Sequence, residues 1–352
     1  SLAACSRPAA DDASDTTAIT NRPQNYDRLI AIIKLQQPAL LTSATTDAEG
    51  NRIVDTDLKA AIEAEQADFI AEMAELSPEI EVLYQYKMVL NGVAVVAPRE
   101  LEDRFRKLTS TSYVEKEQLF SRLDTVVPHD GEGAGEGEFD ATSTGWIGAL
   151  QAHTELGITG AGVTVGVIDT GIDYTHKMFG GAGTEEAFEA NNPDFVEEGS
   201  FPTEKVVGGI DLVGQQYNAA SPDFNQHVPK EDGDPLDDGS HGTHVAGTVA
   251  GIGDGVNTYT GVAPDAKLHA IKVFGADGST GDAVIIAALE YSADPNKDGD
   301  LADQLDVINL SLGSGYGTPH LLYSEAMKNL VDGGTLAVAS AGNSGHTSYI
   351  VG

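Results

Sequence analysis

The sequence predicts an α/β protein, a parallel sheet with crossover helices, preceded by a smaller α+β unit. Three observations predict it. From about Trp146 onward, short apolar runs alternate with helical patterns. Ahead of them, residues 51–125 read as helix, strand, strand, helix. Between the two lies Asp130 to Gly145, acidic and rich in glycine. Apolar strands that alternate with helices are satisfied when helices cover the faces of a parallel sheet.

Taken in order, residues 1–50 are polar, hold no sustained apolar period, and are expected to form a tether. From Asp57, the residues Leu58, Ile62, Phe69, Ile70, Met73 and Leu76 recur at spacings of a helical face, and Pro78 ends that helix. Alternation at Ile80, Val82, Tyr84, Tyr86 and Met88 predicts a strand, Asn91-Gly92 a turn, and Val93 to Val96 its partner. Pro98 opens a second helix with Leu101, Phe105 and Leu108 on its buried face. The stretch 126–145 is a linker, and 146–352 the larger domain. There Val163 to Ile168, Leu268 to Phe274, Val307 to Leu312 and Leu336 to Ala339 predict strands. Helices are expected from His241, over Ala283 to Tyr291 and over Leu321 to Val331.

The chain has 352 residues with Lys+Arg 20 against Asp+Glu 55, a net charge of −35. A surface this acidic excludes a nucleic-acid partner, which needs basic groups against phosphate. One cysteine cannot form an internal disulfide, and no run of 18 apolar residues is present to span a membrane.

The chemistry is carried by two motifs. Asp169 closes the apolar run Val163-Thr164-Val165-Gly166-Val167-Ile168 and is followed by Thr170-Gly171; His241 opens His241-Gly242-Thr243-His244-Val245-Ala246-Gly247-Thr248. Serine hydrolysis needs a base to take the hydroxyl proton and a carboxylate to hold that base in the right tautomer. Asp173 is the nearest rival acid, whereas His244 and His176 read as structural. In open α/β sheets a site forms beyond the carboxyl ends of strands, where Asp169, Ser311-Leu312-Gly313 and Asn343 all fall.

Together with Ser340-Ala341-Gly342-Asn343, these motifs resemble those of subtilisin-like serine proteases, the subtilases. The resemblance implies a subtilisin-like doubly wound parallel sheet, incomplete at its C-terminal end, and a ferredoxin-like propeptide over 51–125 that inhibits the enzyme intramolecularly. Tyr86 to Ala94 resembles the central segment of such propeptides. It implies a catalytic pair of Asp169 and His241, with the Asn343 amide stabilising the oxyanion. Ser311, Leu312 and Gly313 resemble one substrate-binding edge, and Gly278 and Ser279 the opposite one, so the substrates implied are proteins or peptides. No Gly-Thr-Ser occurs in the chain. The nucleophilic serine is therefore expected beyond Gly352, and this segment alone is expected to be inactive. A subtilase-like pseudoenzyme and a calcium-dependent cell-surface binding protein are the alternatives.

Asp294-Pro295-Asn296-Lys297-Asp298-Gly299-Asp300 places oxygen donors at alternate positions with glycine sixth, the opening of a calcium loop. Position twelve is Leu305 instead of the usual glutamate, with Asp303 near enough to contribute, so Asp294, Asn296, Asp298, Asp300 and Asp303 are the expected calcium ligands. Leu2-Ala3-Ala4-Cys5 resembles a bacterial lipobox, which implies a lipid anchor on Cys5, a signal remnant before the tether, and a place in the cell envelope or outside the cell.

Overall fold

The computed structural model describes residues 26–122, 143–256, 260–314 and 320–342. The linker expected over 126–145 lies almost wholly outside them, as do Cys5 and Asn343.

The N-terminal unit contains β1 (Arg28–Lys34), the short β2 (Thr45–Thr46) and β3 (Arg52–Ile53), helix Thr56–Leu76, β4 (Glu81–Tyr86), β5 (Gly92–Pro98), β6 (Tyr113–Lys116) and β7 (Leu119–Arg122). Its antiparallel sheet has the order β4-β5-β1-β6. For residues 26–50 the expected tether is thereby corrected, because Arg28–Lys34 pairs on both sides inside this sheet; residues 1–25 lie outside the described residues. The reason is visible in the packing. Leu29, Ala31 and Ile33 face a cluster with Phe69 and Met73 of the helix, whereas Ile30 and Ile32 face the large domain. A strand buried on both faces shows a continuous apolar run and no period.

The helix begins where the Asp55 carboxylate accepts from the Asp57 and Leu58 amides and ends at Ser77, before Pro78. The helix expected from Pro98 is shorter than its pattern, a 3-10 turn (Arg99–Leu101) and one helical turn (Glu102–Phe105), with Phe105 fully buried.

The large domain is built on β8 (Thr164–Asp169), β9 (Val206–Asp211), β10 (Lys267–Lys272), β12 (Val307–Leu310) and β14 (Leu336–Ala339). They form a parallel five-stranded sheet in the order β14-β12-β8-β10-β9. Helix His241–Ala250 packs on one face through Ala246 and Ala250 against Val165 and Val167. Helices Asp282–Ala293 and Leu322–Asp332 cover the other, with Ile168 and Ile271 in their cluster. Helices on both faces make the sheet doubly wound, as expected. Strand β9 was not foreseen, because Gly208 and Gly209 interrupt its apolar run; a Cβ on Gly209 would lie 2.4 Å from the Ala270 carbonyl oxygen.

Helix Asp282–Ala293 is buried on nearly every side. The sheet covers one flank and the N-terminal unit the other, which is why it reads as apolar all round. Each such Leu or Ile side chain contributes about 1.5–3 kcal/mol on burial. Polar contacts fix the docking: the Tyr84 hydroxyl donates to Leu212 O at 2.6 Å and that of Tyr86 to Ala283 O at 2.8 Å. The Glu290 carboxylate accepts from the amides of Lys87, Met88 and Val89.

A separate three-stranded sheet joins the units. It has the order β11-β7-β13, with β11 (Ser279–Gly281) and β13 (Leu312–Gly313) flanking β7. Among the described residues, no helix is long and apolar enough to cross a membrane.

Candidate active site

Asp169 is the last residue of the central strand β8 and is fully buried. Its Oδ1 accepts the Thr170 amide at 2.7 Å and lies 2.7 Å from Nδ1 of His241, the first residue of its helix. With the proton on Nδ1 directed at the carboxylate, the ring's lone pair is on Nε2, the tautomer a general base requires. His241 keeps 14% side-chain exposure while Asp169 has none, so the base opens toward solvent and the acid does not.

Two glycines permit this approach. Gly171 has φ +107, and a Cβ there would sit 2.4 Å from the Pro235 carbonyl oxygen. A Cβ on Gly242 would sit 2.2 Å from the Gly171 carbonyl oxygen and 3.1 Å from the Asp169 Cβ. The helix start is thus pressed against the strand end closely enough for His241 to reach Asp169.

The two expected substrate-binding edges lie on either side of one strand. Ser279 pairs with Ser121, Thr280 with Phe120 and Gly281 with Leu119; on the other side Leu312 pairs with Arg122 and Gly313 with Ser121, all antiparallel. Gly278, at φ +97, turns the chain into β11. Ser311, just before β13, accepts from the Asn309 side-chain Nδ2 at 3.0 Å. Phe120 is 2% exposed and meets the Tyr323 ring edge-on, centroids 5.0 Å apart. At the far end of β7, the Arg122 guanidinium is 3.4 Å from where a Cβ on Gly239 would stand, next to the His241 turn.

The model of the subtilase family matches residues 160–352. The chain belongs to the subtilase family. The minor extracellular protease Vpr of Bacillus subtilis is 37% identical over 213 residues, covering 60% of this chain and 21% of that protein. Subtilisin E of the same organism is 30% identical over 292 residues, covering 82% of the chain and 57% of its own length. The PII-type proteinase of Lacticaseibacillus paracasei is 29% identical over 92% of the chain and 16% of its own length. The chain therefore spans between about a fifth and about three fifths of the first two relatives.

In this subtilase the acidic loop closes on its own backbone. Asp294 accepts from the Asp298 and Gly299 amides, Asn296 from the Asp298 amide, Asp298 from the Asp300 amide, Asp300 from the Ala302 amide, and Asp303 from the Asn296 amide. Among the described residues, no group of three or more His, Cys, Asp or Glu side chains is placed to hold a metal ion. Among the described residues, Asp294, Asn296, Asp298, Asp300 and Asp303 are thus not gathered into the donor cluster expected for calcium. Asn296, Asp298 and Asp300 each accept an amide two residues on, a ladder of turns with the same spacing as a ligand loop. Burial pushes the Asp294 and Asp303 carboxyls up; repulsion from Asp303 and Asp298 adds to the first, and from Asp298 and Asp300 to the second.

Sequence reasoning missed Asp237 and Lys272. Lys272 is fully buried, lies beside Asp169 in register, and donates to Leu236 O and the Asp238 carboxylate, both at 3.0 Å. Asp211 sits 4.0 Å from it, its carboxyl pushed up by burial to about 7 despite the cation. The Asp237-Asp238-Gly239 spacing ahead of a helix start was a signal for an aspartate turn. His244 is exposed one turn beyond His241, and His176 accepts the Met178 amide at a turn, so both stand apart from the pair.

Proposed function

We propose that the chain is part of a serine endopeptidase precursor that hydrolyses proteins or peptides through an Asp-His-Ser triad. The observation that carries this reading is the 2.7 Å contact between His241 Nδ1 and Asp169 Oδ1 at the carboxyl edge of the sheet. The nucleophile is a serine beyond Gly352. His241 Nε2 takes its hydroxyl proton as the oxygen bonds to the substrate carbonyl carbon. The Asn343 amide and a backbone N–H receive the oxyanion. The imidazolium, held by Asp169, returns the proton to the leaving amine, and water repeats the sequence to free the acid. Without the serine, the 352-residue segment is inactive.

The N-terminal unit acts as the inhibitory propeptide. Its support is the seat of β7 between Gly278–Gly281 and Ser311–Gly313, where backbone pairing would hold a substrate irrespective of its side chains. An exported protein fits the name of the extracellular relative, and the Leu2-Ala3-Ala4-Cys5 run supports lipid anchoring at Cys5. No step runs through calcium, because the expected donor set already accepts backbone amides.

In the full-length protein, His241→Ala is expected to lower casein hydrolysis by at least about a thousandfold. Retention of wild-type activity would overturn the reading.

A further inference from the structure

We propose that Asp237 is the positioning residue of the Asp169–His241 pair. It rests on the catalytic reading of that pair, but the arrangement supporting it is structural. Ser240 occupies the cap position of helix His241–Ala250 at φ +68 and makes no side-chain cap. Its place is taken by Asp237, 3% exposed, which reaches the helix start from three residues earlier. Asp237 Oδ1 accepts from the Gly239 and Ser240 amides at 2.8 and 3.0 Å. Its Oδ2 accepts from the Thr243 amide at 2.9 Å and the Thr243 hydroxyl at 2.5 Å. One carboxylate therefore grips the chain on both sides of His241 and holds Ser240 in a left-handed conformation that a non-glycine residue rarely adopts.

Two hydroxyls extend the grip to Asp169. Thr243 Oγ1, donating to Asp237, accepts the Asp173 amide at 2.9 Å. The Thr170 hydroxyl bonds to Asp237 and accepts the Gly242 amide at 2.8 Å. The turn after Asp169 and the turn before His241 are thus tied to the same carboxylate. Neither the acid nor the base can shift without breaking charge-assisted hydrogen bonds in a buried place.

The carboxylate also adds negative charge at the start of the helix that carries His241, where Asp169 contacts the imidazole, Asp238 pairs with Lys272, Arg122 of β7 approaches Gly239, and Asp173 and His244 line the same cavity as Asp237. Because a nearby anion favours the imidazolium, neutralising Asp237 lowers the His241 pKa and leaves a less effective base in a less fixed place.

The test is a titration of 13C-labelled histidine by NMR in the full-length protein, comparing wild type with Asp237→Asn and Thr243→Val. In folded Asp237→Asn, the His241 pKa is expected to fall. The acid limb of its kcat/KM profile should move with it. Thr243→Val keeps the charge and removes one tie, so kcat should fall about tenfold with KM unchanged and the acid limb unmoved. An unchanged His241 pKa in folded Asp237→Asn overturns the proposal. If Asp237→Asn does not fold, wild-type kcat in Thr243→Val overturns it. The NMR titration reads the positioning role even in a protein without protease activity, so failure of the catalytic reading is seen separately.

Discussion

Glu115 and Asp282 set two carboxyl groups against each other where the N-terminal unit meets the start of helix Asp282–Ala293. Glu115 also accepts the Leu322 amide at 3.2 Å, and Asp282 Oδ1 accepts the Gln118 amide at 3.0 Å. Glu117 Oε1 and Asp282 Oδ2 are buried without a hydrogen-bond partner. Tyr86, Tyr217 and Tyr323 close in on the group, each with its hydroxyl pKa raised by burial first and by these acids second or later. Two carboxyls in contact cannot both ionise in such surroundings, so the junction holds at least one proton.

Burial pushes Glu117 up to about 8 and Asp282 well up, with Glu117 and Glu115 adding to the latter. A carboxyl raised by docking favours the docked state while it stays protonated. Its contribution is whole below the undocked pKa and is lost progressively as pH rises toward about 8. Hydrogen exchange at the β7 amides, corrected for intrinsic rate, should therefore lose at least about tenfold protection between pH 5.5 and pH 8.5. Glu117→Gln should flatten that dependence. Protection independent of pH in the wild type would refute a protonated junction.

Gly242→Ala tests the contact between helix and strand. The added methyl meets the Gly171 carbonyl oxygen and the Asp169 Cβ, so the helix start must retreat. A displacement of this kind is expected to lower kcat of the full-length enzyme about a hundredfold. Wild-type kcat would mean that His241 reaches Asp169 without the close approach.

The acidic loop yields a test by ligand removal. Because the carboxylates of Asp298 and Asp300 accept backbone amides, calcium should raise Tm equally in the wild type and in the Asp298→Asn/Asp300→Asn variant of the full-length protein. A calcium-dependent rise that disappears in the variant would restore the loop as a binding site.

The sequence made some features legible and hid others for identifiable reasons. The pair Asp169 and His241 was legible because each motif is a short string with fixed local geometry, a strand end and a helix start. Strand β1 was hidden because burial on both faces erases the alternation that marks a strand. Strand β9 was hidden by the glycines its close packing requires. The loop from Asp294 was ambiguous in sequence because turn and ligand spacing coincide. Asp237 was overlooked because its importance lies in five donors converging from three segments, which no local pattern announces.

The sequence by itself determined the α/β class and the strand end and helix start that carry Asp169 and His241, since these depend on neighbours within a few residues. Only the tertiary structure decided that Leu119–Arg122 lies between β11 and β13, that helix Asp282–Ala293 is covered on both sides, and that three acids meet at one junction. Strand partners and buried charge depend on which distant surfaces come together to bury the most apolar area with their polar groups satisfied. That choice is made by the whole chain at once.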